Sequence, residues 1–114
     1  MDKLLKIFKA LSDKNRVRIM SMLTKKELCV CEITHVLDLA TSTVSKHLSI
    51  LKDAGLITDK KDGRWVNFKL SESDDTKIKN IIEMINNAGK EEELLQIDLT
   101  NVEKADRNEI CKTF

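Results

Sequence analysis

TSTVSKHLSILKDAGLITDKKDGRWVNFKL, residues 41–70, changes its period part way through. In the first half, Val44, Leu48, Leu51 and Ala54 fall on one face of a helix. The Thr41-Ser42-Thr43 cluster is a natural N-cap for it, and Gly55 suits its C-terminus. In the second half, Leu56-Ile57-Thr58 is a short apolar run and Asp62-Gly63 is a hairpin turn signal. Residues 65–70 then alternate, with Val66, Phe68 and Leu70 on one face. A helix followed by a two-stranded hairpin is the second half of a winged helix-turn-helix.

The flanking sequence supplies the rest of that fold. Leu4, Ile7, Phe8 and Leu11 predict a helix over residues 2–11, and Val17, Ile19, Met20 and Leu23 a second over 13–24. Ile33, Val36 and Leu37 predict a short third helix over 31–38. After the hairpin, residues 71–75 open a further helix whose stripe is Ile78, Ile81, Ile82 and Ile85, serving either the core or a dimer contact. The chain has 114 residues, no proline and three glycines. The expected class is therefore mainly α with a small β-hairpin, in the order α-α-α-α-β-β-α. Residues 1–89 read as a winged-helix DNA-binding and dimerisation domain. Residues 90–114 read as an acidic C-terminal extension carrying Cys111.

The net charge of +1 conceals a gradient. Residues 1–28 hold eight Lys/Arg against three Asp/Glu, whereas residues 71–114 hold six against eleven. A basic front and an acidic tail suggest one side facing DNA and one turned away from it. The solvent face of the 41–54 helix offers Ser42, Thr43, Ser45, Lys46, His47 and Ser49, groups that reach base edges and phosphates. The hairpin tip adds Lys60, Lys61 and Arg64, suited to phosphates or the minor groove. Double-stranded DNA is the expected partner. No run of apolar residues is long enough for a membrane span, and the N-terminus lacks the pattern of a secretory signal. Nothing reads as a nucleophile–base pair, a phosphate loop or a carboxylate dyad, so no enzyme is expected.

Cys29 and Cys31 stand two apart in ELCVCEI, residues 27–33, and Cys111 is the third cysteine. An odd count at this spacing suits a reducing cytoplasm, where paired cysteines more often do metal or redox work. The bland alternative is two small buried hydrophobes. Residues two apart on a helix point about 200° away from each other, so thiols so placed grip one ion only at a helix entry or in an extended segment. Ligand binding is then expected to favour a bent or unwound start to the third helix. Thiolates without imidazole select soft ions.

ALSDKNRVRIMSML, ELCVCEI, TSTVSKHLSILKDAGLI and DGRWVNFKL, in that order, resemble the ArsR/SmtB family of metal-sensing winged-helix repressors over roughly residues 4–88. The box ELCVC followed by an acid is most similar to the arsenic-type branch. The resemblance implies a homodimer on an inverted-repeat operator, released when a metal or metalloid binds. It implies As(III) or Sb(III) at Cys29 and Cys31, with Cd, Pb or Hg as runners-up and no required cofactor. Many arsenic-type members carry a further cysteine where Thr34 stands here, which leaves Cys111 as the candidate third sulfur, from this subunit or its partner. Members that sense cadmium or lead add N-terminal cysteines, and this chain has none before Cys29. The zinc-type site needs histidine on the last long helix, and residues 74–90 contain none. Two rivals stand beside this reading: a redox- or persulfide-sensing repressor on the same fold, and a metal-binding or interaction protein without regulatory DNA binding.

Overall fold

A computed structural model describes residues 1–111. Seven helices and three strands follow in order: α1 (Asp2–Ala10), α2 (Lys14–Leu23), β1 (Leu28–Cys29), α3 (Val30–Leu37), α4 (Thr41–Asp53), β2 (Ile57–Asp62), β3 (Trp65–Leu70), α5 (Thr76–Glu91), α6 (Glu93–Lys104) and α7 (Arg107–Ile110). The expected winged helix-turn-helix is present, with α3 and α4 as the helix pair and β2–β3 as the wing. Ile33, Val44, Leu48, Leu51, Leu56 and Ile57 are sealed from solvent in a core shared by the pair and the root of the wing. Burial of these side chains, rather than helix propensity, holds such short helices in place.

Local signals explain most boundaries. Asp13 caps α2, accepting from the N–H groups of Asn15 at 2.8 Å and Arg16 at 3.2 Å. Asp75 caps α5 by accepting from the Lys77 N–H at 2.9 Å. The start of α4 differs from expectation: the cap position is Ala40, with no side-chain bond to the helix, and Thr41 already lies inside it. The hydroxyls of the Thr41–Thr43 cluster are therefore not spent on the cap. Gly55 closes α4 with φ +79°, a conformation that costs a glycine little.

The wing turns through Gly63 and Arg64, between Asp62 and Trp65, which face each other in the ladder. Gly63 supplies the positive φ, +61°, that a two-residue hairpin loop requires. Of the three residues expected to face inward, Phe68 is buried and Leu70 half-buried, whereas Val66 near the tip is 39% exposed.

Two features go beyond the expected element order. Leu28 and Cys29 form a third strand, pairing antiparallel with Phe68 and Asn67 of β3. The sheet order is β1-β3-β2, so the wing is joined to the entry of α3. After α5 the chain folds back as α6, which packs on α2 and α5, and then as α7, which packs on α3. No helix among the described residues is long and apolar enough to cross a membrane.

Candidate metal centre and nucleic-acid interface

Cys29 ends β1 and stands at the N-cap of α3, with an extended backbone at φ −90° and ψ 168°. Cys31 lies in the first turn of that helix. Because Cys29 precedes the helix, the spacing problem disappears: the two Sγ atoms are 3.1 Å apart with α3 regular from Val30. The bent or unwound start expected from the sequence is not needed to bring these thiols together. A strand-to-helix junction does so instead.

Cys111 arrives from the opposite end of the sequence, at the C-cap of α7. Its Sγ is joined to that of Cys31 as a disulfide closing 80 residues, and Cys29 is free. The sulfur atoms of all three lie within 4.8 Å of one another, and all three residues are buried. A cystine needs two sulfurs, so the third is surplus to a structural crosslink. A trigonal thiolate site needs all three. With thiolate bonds of about 2.3 Å, its sulfurs stand about 4 Å apart, so Cys31 and Cys111 must be reduced and separate to form it.

The ring around the sulfurs comes from three elements. Glu32, 3% exposed, accepts from the Cys29 N–H at 2.9 Å while its own N–H points to Cys29 Sγ, a reciprocal capping box. Arg107 of α7 donates through Nη2 to Glu32 Oε1 at 2.9 Å and to Asn67 Oδ1 at 2.8 Å. Its guanidinium also lies over the Trp65 ring, 4.7 Å from the centroid. Trp65 and Ile110 pack against the sulfur cluster. Burial pushes the Cys29 thiol above its ordinary pKa, and the Glu32 carboxylate adds to this; the Glu32 N–H and the charge of Arg107 oppose it. The charges of Glu32 and Arg107 offset each other beside the sulfurs, and burial favours the protonated form of the free Cys29 thiol.

On α4, Ser42, Thr43, Ser45, Lys46 and Ser49 are exposed to solvent, as their helical spacing predicts. His47 is half-buried, and Arg16 Nη1 lies 3.2 Å from its Nδ1. A guanidinium only donates, so in this contact Nδ1 is the acceptor. Arg16 also donates to the carbonyls of Ala10 and Lys9, which fixes it between α1 and α4. Lys60, Lys61 and Arg64 are exposed on the wing. Arg64 is folded back over the Trp65 ring, 4.6 Å from the centroid.

The structure thus gathers Cys29, Cys31 and Cys111 into one cluster within a single subunit, and sets the nine polar candidates on α4 and the wing. Sequence reasoning missed Glu32, Arg107 and Trp65 as neighbours of the sulfurs. The acid after ELCVC hinted at Glu32, but nothing local marks Arg107.

The helix pair α3–α4 and the β2–β3 wing are the winged helix-turn-helix of DNA-binding regulators, here with three cysteines gathered at the entry of α3. The family description "Bacterial regulatory protein, arsR family" matches residues 13–59. The chain belongs to the ArsR family. It is similar to the arsenic resistance transcriptional regulator ArsR1 of Pseudomonas putida, 42% identical over 65 residues, covering 56% of this chain and 51% of that protein. It is also similar to a cadmium resistance transcriptional regulatory protein CadC homolog of Staphylococcus aureus, 40% identical over 79 residues, covering 68% and 63%. The chain therefore spans between half and two thirds of the length of these relatives. Among solved structures, HlyU from Vibrio cholerae superposes with a TM-score of 0.66 at 32% identity, covering 76% of this chain and 91% of that one.

Proposed function

We propose that the protein is a homodimeric transcriptional repressor that leaves its inverted-repeat operator when As(III) or Sb(III) binds Cys29, Cys31 and Cys111 of one subunit. The observation that carries this reading is the cluster of three buried sulfurs within 4.8 Å. Charge balance favours the metalloid. Arsenous acid and three thiols give a neutral trithiolate and three waters, so nothing charged is created in the pocket. A divalent ion such as Cd2+, the runner-up with Pb2+ and Hg2+, leaves one net negative charge there, which burial penalises. The reduced thiols suit the cytoplasm.

The DNA side of the reading rests on α4 and the wing. Ser42, Thr43, Ser45, Lys46, His47 and Ser49 would meet the major groove, and Lys60, Lys61 and Arg64 the backbone or minor groove. Dimerisation is supported by apolar side chains left exposed on α1 and α5: Leu5 at 54%, Phe8 at 59% and Met84 at 66%. Arsenite acts by binding the DNA-free arrangement better than the DNA-bound one, as any ligand-driven release requires.

The test is arsenite titration of the reduced protein, read by near-ultraviolet thiolate-to-arsenic absorption, beside Cys29→Ser, Cys31→Ser and Cys111→Ser. The same titration is then read by release of a duplex selected by the protein from a random library. Each variant should lose most of the absorption and the release. Full response in Cys111→Ser would reduce the site to two sulfurs.

The Cys31–Cys111 disulfide favours one second reading, a redox sensor. Two thiols give up two protons and two electrons to a peroxide, forming the disulfide and two waters. Release by peroxide with no response to arsenite would establish it.

A further inference from the structure

Arg107 is the point where the thiol cluster meets the wing. It sits one helical turn before Cys111, whose N–H donates to the Arg107 carbonyl at 2.9 Å, so the two move as a unit. Its guanidinium reaches three residues on two elements at once: Glu32 at the entry of α3, and Asn67 and the ring of Trp65 in β3. Trp65 in turn carries Arg64 on the same ring and follows it directly in the chain. Arg64 occupies the wing turn. A guanidinium stacked on the indole is tethered to that ring, so the position from which Arg64 can meet a phosphate moves with Trp65.

The docked arrangement is also incompletely satisfied. The Trp65 indole N–H is buried with no hydrogen-bond partner among the described residues. Undocking of α7 would expose it to water, so the docked and undocked states are drawn together in energy. Such a balance is what a small bias can tip.

We propose that Arg107 is the positioning residue through which the thiol cluster controls the wing. The inference rests on the reading of Cys29, Cys31 and Cys111 as the effector site. When the sulfurs are tied, by a metalloid or by the Cys31–Cys111 disulfide, α7 is docked, Arg107 clamps Asn67 and Trp65, and Arg64 is held to the position of that ring. When the sulfurs are free, α7 lifts, the clamp opens and Trp65 and Arg64 are free to take another position toward a phosphate. The output element is then the wing, and α3 need not distort.

The experiment follows backbone hydrogen exchange at the wing tip, residues 61–66, together with the emission of Trp65, the chain's one tryptophan. The full chain is compared in three states: reduced, loaded with arsenite, and oxidised with diamide, which takes up the two thiol hydrogens as the disulfide forms. Thiolate-to-arsenic absorption is recorded on the same samples. Tying the sulfurs should slow wing-tip exchange about threefold or more and shift the Trp65 emission. Arg107→Gln should keep the arsenic absorption and the reduced-state fold while losing both wing responses. Arg107→Lys, which retains the charge without the planar fork, should recover part of them. Equal slowing in wild type and Arg107→Gln would overturn the proposal, as would no wing response in wild type with sulfurs tied. Absence of arsenic absorption in wild type would refute the metalloid reading alone, because the reduced and oxidised states still decide whether the wing follows the sulfurs. Should Arg107→Gln fail to fold, the Arg107→Lys comparison decides: undiminished wing responses there would overturn the clamp.

Discussion

Arg18 of α2 and Asp98 of α6 form a two-pronged ion pair, Nε to Oδ2 at 2.8 Å and Nη2 to Oδ1 at 3.0 Å. Asp98 is 1% exposed, and the hydrogen bond to it holds the Arg18 guanidinium above its ordinary pKa against the opposing effect of burial. The pair fastens the C-terminal helices to the winged-helix body. Removing one partner of a buried pair strands the other, so Asp98→Ala should cost about 3 kcal/mol, read as a lower urea midpoint. Because Cys111 follows α6, arsenite absorption should weaken too. An unchanged midpoint would show that apolar contacts alone dock α6.

Asp13→Ala should cost about 1 kcal/mol through loss of the α2 cap. Burial raises the Asp13 pKa, but the N–H groups of Arg16 and Asn15, with the charges of His47 and Arg16, more than offset it and leave the carboxyl below 3.8. A folded-state pKa below the unfolded one gives stability that is fully present above the unfolded value. That stability is lost as pH falls through the folded pKa. Urea midpoints of wild type and variant should therefore differ at neutral pH and converge only in acid, below 3.8. A gap that persists there would assign the effect to packing.

The charge argument at the thiols has a pH signature. Burial, first, holds the Cys29 thiol protonated at neutral pH. Arsenous acid consumes three thiols and releases only water, so its affinity should be flat from about pH 6 to 8. Cd2+ must displace protons, and its affinity should climb by about one to three decades per pH unit. Competition titrations in the two metals would measure both slopes. A steep arsenite slope would mean that the sulfurs bind as preformed thiolates.

Lys46→Ala should weaken binding of the selected duplex and lower the slope of log K against log salt by about one, as for a lost phosphate contact. The same loss at all sequences tested would assign Lys46 to the backbone. A loss confined to one base pair would place it on a base edge.

The reading helix and wing were legible because their apolar residues repeat cleanly, first at helical and then at strand period, with Gly55 and Gly63 at the joints. The helix entry was also legible in part: Cys29 and Cys31 were expected to converge at a helix entry or in an extended segment, and Cys29 stands at the N-cap of α3 with Cys31 in its first turn. Strand β1 was not, since two residues carry no period and their partners, Asn67 and Phe68, are remote in sequence. Helix α6 was hidden for a different reason. Its buried face reads Leu95, Asp98, Val102, an apolar stripe broken by an acid. Only the distant Arg18 makes that acid tolerable inside, and pairing of this kind leaves no local mark. The placement of Cys111 depended on α6 and α7, so it could not be read without them.

The disulfide-closing span of 80 residues also orders events in time. During synthesis Cys29 and Cys31 emerge with the winged helix still unmade, and the third sulfur follows only after β2, β3, α5, α6 and α7. On the proposed reading, a half-built chain has two of the three sulfurs and an unfinished fold. Only a chain that has completed every intervening element can then close the three-sulfur site.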